Sequence, residues 1–577
     1  MWIQKIKTLL GKFNTQNGRI LIIVGAIICV GIFFRAYNFS QWLHFEIDQV
    51  YDFDIVEPAV SNGIENLPLL GPNVGGGMAR LGPAFYYIEY LGAKVFGNTP
   101  NGHAMSVLIL SILSLPLFYV FCKRYFSTYE SIGLLAIFSS SLYLVMYSRF
   151  SWSPNILPFL VLLSFYSLLR SFSKKEKHPA RWFLVSVATV TVTSQIHFNS
   201  LFVVPLIAVL FTIIKRPRFN WKIWLAAIGI IFLIYSPVIL NDIKTHGENL
   251  GYLTKKFKKT SPGNAFKFNA IIQTAEYNAY EYFFINTGND QVNMITKLKD
   301  KGFSCAPCRE NLSVKIFALI IFLSALILII INFFKEKDSE RKNFLLLVIL
   351  WFLVSFYLVY SIADGYKMYP RFFLLMAPLA ILFYGFILRT LSPEKNKMGL
   401  LIFVILITVI VFFNIQKINT VFLQLRNDPQ TITDKIETED IFPDTNRITL
   451  ENQQNIADYI QSKFQTNGYP VYLNIVSEYA PSFWYLLEKR GIHYFDDFDK
   501  NHLYLEGNYL AITYSHDLAF GNSNFEEKES TVFGKLRVQY LQPVQTVGIK
   551  RPDSEIKVRY DLAVMSELLT WKKLFMK

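Results

Sequence analysis

The chain has 577 residues, of which 52% are hydrophobic and only 17% charged, with 52 phenylalanines and a mean hydropathy of +0.30. Water-soluble domains average about 25% charged residues, so the composition excludes an ordinary soluble enzyme and points to a polytopic membrane protein. The net charge of +14 does not mark a nucleic-acid binder. Residues 420–577 hold 17 Lys+Arg against 22 Asp+Glu, so the basic excess lies in residues 1–419, in short loops such as Lys174-Lys175-Glu176-Lys177 and Lys215-Arg216-Pro217-Arg218. Basic residues confined to alternate loops are the positive-inside pattern.

The first apolar run, Ile20 to Phe34, follows Lys5, Lys7, Lys12 and Arg19 with no acidic residue before it. A signal peptide would look similar, but no small-residue cleavage site follows and the chain continues as Arg35-Ala36-Tyr37-Asn38. It reads as a retained first helix. Apolar runs near the ~20 residues that cross a bilayer then predict eleven spans, at 19–36, 103–122, 130–148, 154–171, 182–197, 199–214, 222–240, 314–333, 343–362, 370–390 and 398–416. The fifth and sixth are short and joined by Gln195-Ile196-His197-Phe198-Asn199, almost without a loop. Keeping them separate puts Lys123-Arg124, Lys174 to Arg181, Lys215 to Lys222, Lys335 to Lys342 and Arg389 to Lys397 on one side, with the N-terminus inside and the C-terminus outside.

The expected fold class is therefore an α-helical polytopic membrane protein of about 11 transmembrane helices with a C-terminal soluble α/β domain. Residues 1–419 form the membrane core, with outer loops at 37–102 and 241–312, and residues 420–577 an extracytoplasmic domain. In that tail, Leu450 to Phe464 places Ile456, Tyr459, Ile460 and Phe464 on one helical face. Tyr469 to Val476 and Tyr509 to Tyr514 read as strands, and Ser482 to Lys489 as a helix. No Gly-rich phosphate loop or catalytic constellation stands out there. Cys305-x-x-Cys308 falls in the second outer loop and reads as a short disulfide, a pair of free thiols or, with no second CxxC, least well as a zinc site; Cys29 and Cys122 read as packing residues.

The chemistry gathers after the first span, in His44-Phe45-Glu46-Ile47-Asp48-Gln49-Val50-Tyr51-Asp52, where Glu46, Asp48, Asp52 and Asp54 crowd the outer mouth of the core. Carboxylates beside a lipid phase are costly unless something uses them, and a fixed carboxylate at the membrane surface is the residue type a general base for a hydroxyl requires. A solvated face of a surface helix would present the same spacing.

Further motifs follow in order: Leu67-Pro68-Leu69-Leu70-Gly71-Pro72, Gly75-Gly76-Gly77, Leu81-Gly82-Pro83-Ala84-Phe85-Tyr86-Tyr87, and Tyr147-Ser148-Arg149-Phe150-Ser151-Trp152-Ser153-Pro154-Asn155. With the Asp48–Asp52 run they resemble the GT-C superfamily of membrane glycosyltransferases, in the group of bacterial protein O-mannosyltransferases and aminoarabinose transferases (family 39-like), over about residues 19–390. The resemblance implies an inverting glycosyltransferase taking a sugar from a polyprenyl-phosphate carrier in the plasma (inner) membrane. The acceptor would be a hydroxyl on a glycan, lipid or protein. Asp48 is the implied catalytic base and Asp52 its retained companion. Two departures stand out, Gln49 where relatives often carry Glu and Tyr51 where others carry Arg. The second carboxylate and any metal site are therefore open, and no cofactor is required, although a divalent cation (Mg or Mn) is admitted. A departing phosphate needs cationic stabilisation; Arg80 and Arg371 are the implied binders, with Lys367 a weaker candidate, and interfacial snorkelling is the alternative for each. Arg149, His197 and Tyr86 complete the substrate-binding set, against structural roles: tying down the Trp152 turn, a backbone-bonded histidine and an aromatic belt. A transporter or flippase of lipid-linked sugars is the competing reading, disfavoured because the spans are nearly free of ionisable residues.

Overall fold

The structure, a computed structural model, describes residues 16–74, 77–260, 268–289, 311–363, 370–391, 397–427, 448–495, 498, 502–515, 519–551 and 568–575. Cys305, Cys308 and Lys367 lie outside them.

The chain opens with α1 (Gln16–Ala36). Two helices follow between the first and second spans, α2 (Ile47–Asn62) and α3 (Ala84–Phe96). Next come α4 (Pro100–Tyr125), α5 (Thr128–Ser140), α6 (Leu142–Tyr147) and α7 (Leu157–Ser171), the last entered through a 3₁₀ turn at Ser153–Ile156. Then run α8 (Pro179–Ser194), α9 (Phe198–Lys215), α10 (Trp221–Lys244), α11 (Glu248–Thr260) and α12 (Phe268–Thr287). The membrane part closes with α13 (Leu312–Lys335), α14 (Ser339–Ala363), α15 (Ala377–Leu391, led by the 3₁₀ turn Pro370–Met376) and α16 (Lys397–Asn427). Among the described residues, nine helices are long and apolar enough to cross a membrane, so the chain is a multi-pass membrane protein.

Local chemistry explains the helix boundaries. Thr99 caps α4 by accepting the Gly102 N–H, with Pro100 at the first helical position. Ser127 and Glu130 close a reciprocal capping box at α5. The expected third span is two helices, because the chain turns out of α5 at Ser141. That break is held by buried polar groups: Ser141 Oγ donates to the Ile285 carbonyl (2.6 Å), and Asn414 Oδ1 accepts the Leu142 N–H (3.0 Å) while its amide donates to the Asn286 carbonyl (2.7 Å). Satisfied in this way, an interrupted helix is tolerated at membrane depth.

Within residues 241–312, α12 packs against α13, α14, α15 and α16, burying Ala279, Tyr282, Phe283 and Phe284.

The tail builds one α/β unit from α17 (Leu450–Asn467), β1 (Val471–Ile475), α18 (Ala480–Glu488), β2 (Tyr494–Phe495), β3 (Asn508–Tyr514), β4 (Phe525–Phe533) and β5 (Leu536–Pro543), ending in α19 (Trp571–Phe575). The sheet order is β2-β1-β3-β5-β4, parallel at β2-β1-β3 and antiparallel beyond. Both expected strands and both expected helices are present; the β4–β5 hairpin was not anticipated. β3 is central and buried along Asn508–Ile512, as a continuous apolar run demands.

This unit is stitched to the segment between the first and second spans. Leu450 and Glu451 donate their N–H groups to Leu43 and Gln41 carbonyls (3.0 and 3.1 Å), Gln453 Nε2 donates to the Phe45 carbonyl (2.9 Å), and the Ile47 N–H reaches the Glu478 carbonyl (3.2 Å). A second stitch joins Leu69 N–H to the Leu569 carbonyl (2.9 Å) and Trp571 Nε1–H to the Tyr87 hydroxyl (2.8 Å). The segments flanking the acidic run are thus fixed from the far end of the chain.

Candidate active site

The start of α2 sets the carboxylates. Glu46 is its N-cap, in a capping box with Gln49 whose side chain accepts the Glu46 N–H (3.1 Å). The other face of Glu46 bonds buried His44 (2.9 Å). Glu46 is therefore committed to starting the helix, and Gln49, the departure from the family pattern, has a structural task. Asp48 lies in the first turn, where the helix dipole favours an anion, and is exposed. Asp52, one turn on, is buried at 7%.

Asp52 stands in a dense electrostatic setting. Burial pushes its carboxyl well above the ordinary carboxylate range, helped by the charges of Glu89 and Asp48 and opposed by a hydrogen bond from Tyr86 and the charge of Arg80. Burial also raises the Tyr86 hydroxyl, with Asp52 adding to it. Tyr86 at 1% exposure is a partner of Asp52, not a wall of an open groove. The neighbouring Tyr87 hydroxyl donates to the Pro68 carbonyl (3.0 Å).

Arg80 is presented where residues 71–74 pair antiparallel with residues 79–82. The Gly71 N–H meets the Leu81 carbonyl (2.8 Å) and the Leu81 N–H the Pro72 carbonyl (3.0 Å). A Cβ on Gly71 would lie 2.0 Å from the Gly82 carbonyl oxygen, and one on Gly82 2.3 Å from the Gln195 side chain, so both positions require glycine. Asn249 brackets Arg80, accepting its N–H (2.8 Å) and donating to its carbonyl (3.2 Å); Arg80 Nη1 donates to the Gly71 carbonyl (3.2 Å).

A second cation lies nearby. Arg371, half-buried in the Pro370–Met376 turn, places its guanidinium 5.1 Å from the Trp152 ring centroid and 5.6 Å from that of Phe372, a cation–π arrangement. His197 sits beside it as N-cap of α9, its Nδ1 accepting the Asn199 N–H (3.3 Å). Burial and the Arg371 charge lower the His197 imidazole to about 3. The ring is neutral at working pH and leaves Nε2–H as its donor. The two groups are bridged by neighbouring residues. Gln195 Oε1 accepts the Ala84 N–H (3.3 Å). Ser151 Oγ donates to Glu89 (2.7 Å), next to the Trp152 that carries Arg371.

Arg149 is placed elsewhere. It is wholly buried, donating to the carbonyls of Phe34 (2.9 Å), Arg35 (3.0 Å) and Tyr37 (2.7 Å) at the end of α1, with Phe422 and Trp42 flanking its guanidinium. It anchors the chain entering the acidic run, in place of the substrate contact expected of it, and ties α1 more than the Trp152 turn. Glu89, which the sequence reading passed over, is wholly buried on the same face of α3 as Tyr86. Its signal was available: the lone carboxylate of the helix, three residues after Tyr86. Among the described residues, no three His, Cys, Asp or Glu side chains gather in a metal-holding group.

With this geometry in hand, comparison with known proteins gives a consistent result. The family model described as dolichyl-phosphate-mannose-protein mannosyltransferase matches residues 81–240, a stretch containing Tyr86, Glu89, Arg149 and His197 but not Asp48. No curated protein matches the chain. Two crystal structures of ArnT from Cupriavidus metallidurans share its fold. The apo form has 10% identity and the form bound to undecaprenyl phosphate 11%, each with a TM-score of 0.51 over 91% of this chain and 98% of that one. The resemblance read from the sequence is borne out, and the chain has the architecture of the GT-C membrane glycosyltransferases.

Proposed function

We propose that the protein is an inverting glycosyltransferase that moves a sugar from a polyprenyl-phosphate carrier to an acceptor hydroxyl at the outer face of the plasma (inner) membrane. The observation that carries this reading is the pairing on α2 of an exposed Asp48 with a buried Asp52, beside Arg80, within a fold shared with an enzyme whose crystal form binds undecaprenyl phosphate. The alternating basic loops support the outer location, and the stitching of the tail to residues 41–47 supports an extracytoplasmic α/β domain on the same side.

In the proposed reaction the acceptor oxygen attacks the anomeric carbon from the face opposite the phosphate. Asp48 takes the hydroxyl proton as the new glycosidic bond forms. The bond from the anomeric carbon to the phosphate oxygen breaks, and polyprenyl phosphate leaves with the electron pair. Two adjacent carboxylates do not both ionise readily; burial and the neighbouring charges favour the proton on Asp52, and exposed Asp48 is the base. Arg80 and Arg371 stabilise the departing phosphate, charge developing where donors already stand. His197 Nε2–H completes the polar lining, while Tyr86 holds Asp52 from behind.

The test is purified protein given a panel of polyprenyl-phosphate sugars and candidate glycan, lipid and protein acceptors, with mass measurement of the products. A sugar-sized mass gain on one acceptor is expected. Movement of labelled lipid-linked sugar across vesicles, with no transfer to any acceptor, would establish the flippase reading instead.

A further inference from the structure

Glu89 and His103 are buried titratable residues that the proposed transfer does not use. Glu89 on α3 has no exposure and His103, in the first turn of α4, has 1%. Glu89 Oε1 accepts the Ser151 hydroxyl, and His103 Nδ1 lies 3.6 Å from that same oxygen. Both His103 Nδ1 and Glu89 Oε2 are buried without a hydrogen-bond partner.

The far side of the ring fixes where the hydrogens are. His103 Nε2 is 3.0 Å from Asn98 Oδ1. That amide cannot be reversed without loss, because its NH₂ group donates to Ser61 Oγ (3.0 Å) and Glu57 Oε1 (3.3 Å). Asn98 therefore offers His103 an acceptor, and Nε2 carries the hydrogen. A neutral ring in this orientation turns the Nδ1 lone pair on a carboxylate oxygen. Two buried acceptors facing each other are costly. A proton between Nδ1 and Glu89 removes the conflict.

We propose that Glu89 and His103 form a buried dyad that holds one proton and governs the charge facing Asp52, making them positioning residues for the carboxylates of α2. With the proton on Nδ1, Glu89 faces Asp52 as an anion; with the proton on Glu89, it faces Asp52 neutral. When Asp52 gives up its own proton, the dyad proton moves from Nδ1 to the Glu89 oxygen, so two adjacent anions are avoided and no further proton is needed. Asp48 from α2, Tyr86 from α3 and Arg80 act on Asp52 together with Glu89; Glu57 meets the dyad through Asn98, and Phe53 packs 4.3 Å from the His103 ring centroid.

Only the consequence for rate rests on the transferase reading, and the experiment separates the two. Infrared titration of the purified protein follows the carboxylic-acid band that Asp52→Asn removes. Glu89→Gln, close in shape, should move the loss of that band at least about one pH unit towards acid, because ionising Asp52 in the wild type must also drive the dyad proton from Nδ1 onto Glu89, a cost the variant lacks. His103→Phe should force the proton onto Glu89 and create a new carboxylic-acid band that the double variant with Glu89→Gln lacks. An unmoved Asp52 band in Glu89→Gln overturns the proposal, as does the absence of a new band in folded His103→Phe. If His103→Phe does not fold, the Glu89→Gln titration decides alone. In a transfer assay, Glu89→Gln should shift the pH profile of kcat in the same direction, leave donor KM unchanged, and be partly rescued by Glu89→Asp. A wild type without transferase activity would refute the transferase reading and leave the infrared result standing.

Discussion

Arg149→Met separates an anchoring arginine from one that binds substrate. Three charged hydrogen bonds to the carbonyls of Phe34, Arg35 and Tyr37, at 2.7–3.0 Å, are removed, each worth about 1.5–3 kcal/mol. Water replaces part of this, since the bonds to Phe34 and Tyr37 are only part-buried. The flanking Phe422 and Trp42 contacts contribute about 0.5–1 kcal/mol each. A net loss of about 3–5 kcal/mol is a large share of the roughly 5–15 kcal/mol that holds a typical domain folded. Thermal unfolding in detergent should therefore show a much lower midpoint for Arg149→Met, partly restored in Arg149→Lys. Donor KM of the folded fraction should stay within about twofold of wild type, as for a residue outside the binding site. A variant with the wild-type midpoint and donor binding weakened tenfold or more would refute the anchoring role.

Three further outcomes follow from the site. Arg80→Ala and Arg371→Ala should each weaken donor affinity and turnover by at least about tenfold, the loss of one charge-assisted contact; unchanged donor kinetics in both would return these residues to interfacial roles. Asp52 carries its proton in the folded protein well above the range where the unfolded chain loses it, so its contribution to stability is complete at acid pH and is lost as pH rises through the raised value. Asp52→Asn should abolish that decline in the thermal midpoint, and an identical slope in both proteins would contradict it. His197 behaves oppositely. Its ring is neutral in the folded protein down to about 3, whereas the unfolded chain protonates near 6.5, so its contribution is complete above about 6.5 and is lost as pH falls towards 3. His197→Asn, which keeps an acceptor for the Asn199 N–H, should flatten the acid limb of the same titration.

The membrane architecture was legible because most spans are long runs of Leu, Ile and Phe with basic residues at alternate ends. α12 was not, and the reason is physical. Its Thr, Asn and Tyr residues depress its hydropathy, yet Thr274, Asn278, Asn286 and Thr287 each bond a carbonyl four residues back in their own helix, so the helix enters the core with those groups satisfied. In the site, the spacing of Asp48 and Asp52 marked one helical face, but which of the two is buried depends on α3, Arg80 and the tail, all distant in sequence. Arg149 was misassigned for the same reason, its carbonyl partners lying 112 to 115 residues away. Glu89 was hidden among aromatic residues and gains meaning only beside Asp52 and His103.

Asp48→Asn paired with Glu46→Gln, assayed for transfer with donor lipid bound, tests the assignment of the base most directly. Asparagine keeps the shape of Asp48 but cannot take a proton, and general-base catalysis contributes about 10²–10⁴-fold; transfer should fall by at least about two orders of magnitude while donor binding persists. Glu46 caps α2 and bonds His44, so Glu46→Gln should cost some stability and little rate. Near-normal transfer by Asp48→Asn, or equal damage from Glu46→Gln, would contradict the assignment of Asp48 as the base.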